Sequence, residues 1–390
     1  MRLPESKIKE AILHPIDEVR EQALHYFSDV HSPDPMVMPL VIQAVEKYGR
    51  DQSFSILRDA EHLAQTEPTV EWLMGELRRQ YNTADVNDDN YRYAVAMALT
   101  EADPQLLAPM EAGVLALPAF PEPLRAPLHE RIEMASWNWE RLFEALMNFG
   151  LDTMRRRQIT QNDIRYGDRL VEALARHPEN ADKVFDLLKR PYKGKDRSFV
   201  LWLEPQIMAL AGEMKIEAAI PFLMKETANE HERIVDDALM ALGRIGSAAV
   251  VAAVGNAWVD VDQDTRCSYA ILLEDIHSDE SVRKCQAFLS SEEDPEVQLL
   301  LANSWLGNFD TEAVDICWSM VEFEHDPAPD ERDFRYRLVA IATIMGKTFP
   351  HFGEWKKAAL RDNWGVFDRE FHRLADSFKP DMPGPKLSMN

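Results

Sequence analysis

A repeat with a period of roughly 30 residues constrains the fold of this chain more than any other feature of its sequence. Within positions 216–317 the same unit occurs three times: an apolar helical segment, a short acidic turn and a second apolar helical segment. A pair of apolar residues near the end of each second helix marks the register: Leu242 and Ile245, Leu273 and Ile276, and Leu306 and Phe309. A period of this length is typical of stacked helix pairs. The sequence therefore predicts an all-α protein, an α-solenoid of stacked antiparallel helix pairs.

The start of the chain, at positions 4–30, matches the same unit. Asp17 is placed to cap a second helix whose buried stripe contains Val19, Leu24 and Phe27. The Asp-x-x-Val turn that begins this helix recurs as Asp294-Pro295-Glu296-Val297 in the third copy. Both ends of the chain are therefore predicted to contain related helix pairs.

These units resemble HEAT repeats, and more closely the short bacterial form found in phycobilisome-lyase-like proteins. The resemblance rests on residues 231–258 (HERIVDDALMALGRIGSAAVVAAVGNAW), on the turn at Asp294 and on residues 17–27. It implies a HEAT-like superhelix whose concave surface holds a protein partner. Some members of the family are chromophore lyases, and a HEAT-like group repairs alkylated DNA. The sequence contains no catalytic motif of either group, so no functional residue is carried over.

Composition divides the chain into five predicted stretches. Residues 1–116 are predicted to be N-terminal HEAT-like repeats, and 117–199 a proline-rich seam, a long helix and a basic central segment. Residues 200–346 are predicted to be C-terminal HEAT-like repeats, 347–378 a helical cap, and 379–390 a flexible tail. Six prolines between 104 and 127 set the first boundary, and one helix is expected from Pro127 to Phe149.

The charge balance limits the kind of partner. Acidic residues outnumber basic ones 67 to 43, which gives a net charge of −24. Such a field repels nucleic acids and anionic membranes, and it favours a basic protein partner. The first residues lack an apolar core of signal-peptide length, and the three cysteines show no metal-type spacing. We therefore expect a reduced protein of the bacterial cytoplasm.

The basic central segment is the exception to this charge. Between residues 151 and 199 twelve Lys and Arg residues outnumber the acids. Two tryptophans just before it, two positions apart, would point to different sides of a helix, so one of them is expected to be exposed. Tryptophan and arginine are common at interface hot spots. The predicted partner-binding residues are Trp137, Trp139, Arg155, Arg156, Arg157, Lys189, Arg190, Tyr192, Lys193, Lys195 and Arg197.

Side chains that carry chemistry form no recognisable motif. Paired acids such as Asp236 and Asp237 are interpreted as helix-start residues that complement the helix dipole. The series Asp260, Asp262, Asp264 alternates like a calcium loop, but Thr265 stands where such a loop needs glycine, so a turn between repeats is expected. Residues 243–246 (GRIG) are expected to end a helix rather than bind phosphate. No catalytic residue, metal site or cofactor is predicted.

Three functions fit these observations. The first is a non-enzymatic HEAT-repeat scaffold that binds a protein partner through its concave surface. The second is a HEAT-like enzyme of the chromophore-lyase or DNA-base-repair type, whose site would be assembled across a groove and leave no local motif. The third is a regulatory module that binds an acidic ligand at the basic central segment.

Overall fold

A computed structural model describes residues 1–50, 53–156, 160–189, 197–229, 231–320 and 329–361. Every regular element within these ranges is helical, and the one strand-like contact reported for them is an isolated antiparallel bridge between Arg2 and Asp310. The all-α prediction is therefore confirmed.

Short helices follow one another along the whole described chain. They are α1 (Glu5–Ala11), α2 (Asp17–Ser28), α3 (Val37–Tyr48), α4 (Phe54–Arg58), α5 (Glu67–Leu77), α6 (Val86–Thr100), α7 (Pro104–Leu107), α8 (Glu111–Leu115), α9 (Glu122–Met134), α10 (Trp139–Arg156) and α11 (Gln161–Ala175). The second half of the chain adds α12 (Ala181–Lys189), α13 (Arg197–Glu213), α14 (Ile220–Glu226), α15 (Glu232–Ile245), α16 (Ala248–Ala257), α17 (Gln263–Glu274), α18 (Asp279–Leu289), α19 (Pro295–Gly307), α20 (Thr311–Cys317), α21 (Pro329–Met345) and α22 (Phe352–Arg361).

Several predicted helix ends are confirmed. Gly246 ends α15 in the left-handed conformation with φ 57°, which glycine adopts without steric cost. The Asp262 carboxylate accepts a hydrogen bond from the backbone N–H of Thr265 at 3.0 Å, so this residue caps α17 as expected of a turn between repeats. Asp294 accepts from the backbone N–H of Glu296 and Val297 at the start of α19.

Two local predictions were wrong. Asp17 does not cap α2; it is the first residue of the helix, and its carboxylate pairs with Arg20. The single helix expected from Pro127 to Phe149 is two helices, because α9 ends at Met134 and α10 begins at Trp139. The Asn138 side chain accepts from the backbone N–H of Arg141 at 3.0 Å and so starts a new helix.

The chain forms two compact units by contact. The first contains residues 1–133 together with described residues from 301 onwards, and the second contains residues 134–300. These units follow packing, whereas the predicted boundaries at 117, 200 and 347 follow composition.

In the first unit the start of the chain packs on its C-terminal helices. The Leu3 backbone N–H donates to the Phe309 carbonyl at 2.8 Å, and Thr311 donates to Met1 at 3.0 Å. The Met1 ammonium lies 2.6 Å from the buried Asp310 carboxylate. Helix α2 packs on α21 as well as on α1 and α4. A row of repeats in chain order would bring α2 against its sequence neighbours alone, so the repeat period did not predict this contact.

The same unit contains a cluster of titratable side chains between α2 and α4. His25 Nε2 lies 3.0 Å from Asp59 Oδ2. Burial raises the pKa of Glu18 to about 7, with smaller contributions from the charges of Glu21 and Asp17. Burial also raises the pKa of Glu21. The folded state of this unit therefore favours protonated carboxyl groups on α2.

The second unit is built from helices that lie side by side at the repeat spacing. Helix α13 packs between α11 and α15, and α15 packs between α13 and α17. In the same way, α16 packs between α14 and α18. Contacts of α14 with α15 and of α17 with α18 join the two sets of helices. The repeat seen in the sequence thus corresponds to neighbouring helices within this unit.

Two contacts between neighbouring helices support this arrangement. A Cβ atom built on Gly212 of α13 would lie 2.8 Å from the Cα of Ala241 on α15, so the backbones approach too closely for any side chain at that position. Beside it, Arg244 Nε lies 3.3 Å from Glu213 Oε1, and the charge of Asp275 also acts on Arg244. These three charged residues come from α13, α15 and the end of α17, and each is one repeat period from the next.

Candidate functional site

The surface of α15 and α17 that points away from the buried residues is the candidate site, and we call it the repeat face. On α15 it lies opposite the buried residues Ile234, Ala238, Ala241 and Ile245. Residues three, four or seven apart share one side of a helix, so the positions can be assigned from the exposed residues. Four pairs of positions, each one repeat period apart, form the repeat face: Arg233 and Asp264, Asp236 and Cys267, Met240 and Ile271, and Arg244 and Asp275.

The centre of the repeat face is apolar. Met240 is 60% exposed and Ile271 is 51% exposed, although both lie within helices of the packed unit. They occupy equivalent positions on neighbouring helices, whose axes lie about 8–10 Å apart at such contacts. Equivalent positions on packed helices of a repeat face the same side, so Met240 and Ile271 lie on one surface of α15 and α17.

Acidic residues surround this centre. Helix α15 contributes Asp236 and its neighbour Asp237. Helix α17 contributes Asp264 and Glu274, and Asp275 follows directly after it. The cations on the same face are Arg233, whose Nε lies 3.7 Å from Asp237 Oδ2, and Arg244, which pairs with Glu213. The face therefore has a net negative potential around an apolar centre, which suits a partner with the opposite pattern.

Asp237 is the residue that the sequence interpretation missed. The sequence pattern favours a position near a helix start for Asp236 and Asp237, but they are the fifth and sixth residues of α15, beyond its first turn. Burial raises the pKa of Asp237 to about 6. The charges of Asp236 and Asp168 also raise this pKa, whereas the charge of Arg233 lowers it. The spacing of Asp237 from Arg233 and Arg244, four and seven positions, could have placed it on the same helix face.

Next to Asp237, helix α13 buries two polar side chains. Gln206 is 4% exposed and Trp202 is 1% exposed. Gln206 Oε1, Trp202 Nε1 and Asp237 Oδ2 are buried and have no hydrogen-bond partner within the described chain. The Arg233 guanidinium lies 5.8 Å from the centre of the Trp202 ring. The Arg233 side chain therefore lies beside both Trp202 and Asp237, and Gln206 is four residues from Trp202 on α13.

The two tryptophans predicted to bind a partner lie at the start of the second unit. Trp139 begins α10, is buried, and stacks on Phe143 with ring centres 5.9 Å apart. Trp137 lies in the turn before α10 and is half-buried under the Arg141 guanidinium, 3.7 Å from the ring centre. The structure therefore places Trp139 in the core and leaves Trp137 partly accessible.

The basic residues predicted to join them are described only in part. Arg155 is exposed on α10 and pairs with Asp152 at 3.0 Å, and Lys189 is exposed on α12 and pairs with Asp186 at 2.9 Å. Each therefore has an acidic neighbour on its own helix. Arg157, Arg190, Tyr192, Lys193 and Lys195 lie outside the described residues, as do the side chains of Arg156 and Arg197.

A second surface feature of this unit is an open cleft of about 670 Å³ between two equivalent inter-helix turns. Trp258 and Val259 line one side, and residues 291–295 line the other. Arg266 crosses it to pair with Glu292 at 3.0 Å. Val259 is 85% exposed. It is not one of the residues that form the repeat face, so it provides an exposed apolar residue for comparison.

Among the residues with assigned positions, no group of three His, Cys, Asp or Glu side chains could hold a metal ion. In the same part of the chain no helix is long and apolar enough to cross a membrane.

Comparisons with known proteins give no family. No protein-family model matches the chain, and no curated protein is significantly similar to it. One solved structure that matches is the crystal structure of an engineered protein from the Northeast Structural Genomics Consortium. The two are 12% identical, the match covers 87% of this chain and 89% of that protein, and the TM-score is 0.31. A likeness at this level supports no conclusion about fold or function.

Proposed function

We propose that this chain is a helical-repeat scaffold that binds a partner protein through the repeat face, and that the bound segment is a basic amphipathic helix. The observation that carries the proposal is the exposure of Met240 and Ile271 at equivalent positions, surrounded by acids. Methionine is common on surfaces that bind helices, because its flexible thioether adapts to different partners.

The spacing of the two apolar residues favours a helix as the bound element. Neighbouring helices place Met240 and Ile271 about 8–10 Å apart. Two turns of an α-helix rise about 10.5 Å over seven residues, so apolar residues seven apart on a partner helix would contact both. The acids around them would pair with Lys or Arg on the flanks of that helix.

We also propose that the helix pairs stack as HEAT-like repeats. The side-by-side packing of α11, α13, α15 and α17 supports a HEAT-like stack in the second unit. We extend this to a solenoid of stacked pairs with a scaffold role, as the sequence resemblance suggests, and to a location in the cytoplasm. The contacts of α2 with α21 require the first unit to depart from a simple row.

Site-specific photo-crosslinking tests the proposal. A photoreactive phenylalanine analogue replaces Met240 or Ile271 in the full chain, and crosslinked segments are identified by mass spectrometry after exposure to cell extract. We expect segments with Lys or Arg beside apolar residues at helical spacing, and a yield that falls as salt rises, because exposed charges are screened.

The matched control is the same substitution at Val259, which is more exposed than either residue but is not one of the residues that form the repeat face. Equal yields and equal partners at all three positions would mean that exposure alone explains the crosslinks. Neutral or acidic crosslinked segments would exclude the proposed partner chemistry.

A further inference from the structure

The apolar centre of the repeat face continues onto α13 as an alanine. Ala209 stands 31 residues before Met240, and Met240 stands 31 residues before Ile271, so the three occupy equivalent positions on α13, α15 and α17. Helix α13 packs beside α15, and α15 packs beside α17. We call these three residues the apolar row.

Ala209 lies on the side of α13 that borders the repeat face. Glu213 is four residues later and therefore shares this side of the helix. The Glu213 carboxylate lies 3.3 Å from Nε of Arg244, which belongs to the repeat face. The exposed side of α13 at Ala209 and Glu213 is therefore continuous with that of α15.

The backbones of α13 and α15 touch close to Ala209 and Met240. A Cβ atom on Gly212, three residues after Ala209, would lie 2.8 Å from the Cα atom of Ala241, the neighbour of Met240. The alanine side chain ends at its Cβ atom, whereas methionine has a long flexible side chain, and Met240 is 60% exposed. Because Ala209 is only half-buried, the exposed Met240 side chain stands beside open space above Ala209.

Helix α11 borders α13 on the other side and carries negative charge. A Cβ atom on Gly167 of α11 would lie 3.2 Å from the side-chain amide of Gln206, which is three residues before Ala209. Asp168 follows Gly167, is exposed, and acts through its charge on Asp237 of α15. The apolar row therefore has acids beyond its α13 end as well as around Met240 and Ile271.

We propose that the repeat face selects a partner helix with a bulky apolar side chain over Ala209 and smaller ones over Met240 and Ile271. Neighbouring helices lie about 8–10 Å apart, and seven residues of a partner helix rise about 10.5 Å, so three apolar residues each seven apart would follow the row. A bulky side chain fills the space above Ala209, whereas over Met240 it would lift the helix from the surface. This inference rests on the proposed function, because it specifies which helix the repeat face binds.

Fluorescence anisotropy with three labelled peptides of identical composition tests the inference on the full chain. Each peptide has Lys and Arg on both flanks of an apolar stripe with three positions seven residues apart. Two of these positions are valine and one is phenylalanine, which stands first, middle or last. We expect one of the two end-placed peptides to bind about tenfold more tightly than the middle-placed one, because its phenylalanine is buried over Ala209. The preferred end would give the direction of the bound helix.

Variants assign this preference to Ala209. Ala209→Met and Ala209→Leu should each reduce it to no more than about twofold, because the added side chain fills the space. Two variants are used so that misfolding of one, detected by circular dichroism, leaves the other as the test. Met240→Ala should shift the preference towards the middle-placed peptide. The matched control is Ala252→Met, at an exposed alanine of α16 that is not part of the repeat face, and it should keep the native preference.

Two results would overturn the inference and leave the proposed function standing. The first is salt-sensitive binding of all three peptides with equal affinity, or with preference for the middle-placed one. The second is an end preference that persists in both Ala209 variants. Absence of binding by every peptide would overturn the proposed function and this inference with it.

Discussion

Replacing Gly212 by alanine probes the closest approach between helices in the second unit. A Cβ atom at this position would lie 2.8 Å from Ala241 Cα, 3.0 Å from its carbonyl oxygen and 3.2 Å from its Cβ. Carbon atoms prefer about 3.5–4.0 Å, so α13 and α15 would have to separate. Overpacking of this kind costs about 1–3 kcal/mol, whereas alanine gains at most about 1 kcal/mol over glycine in helix propensity. With the full propensity gain subtracted, we expect a net loss of up to about 2 kcal/mol.

The matched control is Gly243→Ala on α15. The nearest atom to a Cβ there is Leu272 Cδ1 at 3.6 Å, an ordinary van der Waals contact. The helix-propensity gain should therefore dominate and stabilise the protein by roughly 0.5–1 kcal/mol. Urea unfolding followed by circular dichroism measures both variants. If both substitutions raise the midpoint equally, α13 and α15 do not approach as described, and the repeat packing of this unit is wrong.

Three further predictions each concern one or two titratable side chains. The Glu18 carboxyl has a folded pKa of about 7 against an ordinary 4.5, so the folded state binds the extra proton and the free energy of unfolding should fall as pH rises through this range. Glu18→Gln should reduce the change in the free energy of unfolding over this pH range by roughly 2 kcal/mol, a value discounted for the partial exposure of the Glu18 side chain. If the pH dependence of urea unfolding is the same in Glu18→Gln, Glu18 does not cause it. Asp310→Asn removes the buried partner of the Met1 ammonium and should lower the stability measured in thermal melts by about 1–3 kcal/mol. An unchanged stability would show that this ion pair does not fix the first residues in place. Burial raises the pKa of the Cys285 thiol to about 12, so iodoacetamide should modify the half-buried Cys267 before Cys285, and a reversed order would contradict the assigned burial.

The sequence predicted the local structure of the second unit well. Its helix pairs, the helix end at Gly246 and the turn between repeats at Asp262 depend on a few neighbouring residues, and such signals are visible in one chain. Asp237 was misplaced because an Asp pair near a polar turn resembles a helix start. The separation of α9 from α10 was missed because Asn138 was not recognised as a cap.

Contacts between distant parts of the chain could not be predicted in this way. The packing of α2 on α21 joins segments from opposite ends of the sequence, and a repeat period contains no information about such pairs. The burial of Gln206 and Asp237 was missed for the same reason, since both are ordinary polar residues until α13 and α15 are placed side by side. The predicted basic segment rested on composition, which cannot show that Arg155 and Lys189 have acidic partners on their own helices.

The central claim is that the repeat face binds a basic amphipathic helix, and fluorescence anisotropy with a labelled peptide tests it most directly. The peptide has leucines at helical spacing on one side and lysines and arginines on both flanks of that apolar stripe. The account predicts salt-sensitive binding to the native chain, loss of at least about tenfold in affinity in the double variant Met240→Asp with Ile271→Asp, and unchanged binding in Val259→Asp. Equal affinity of all three proteins for the peptide would contradict it.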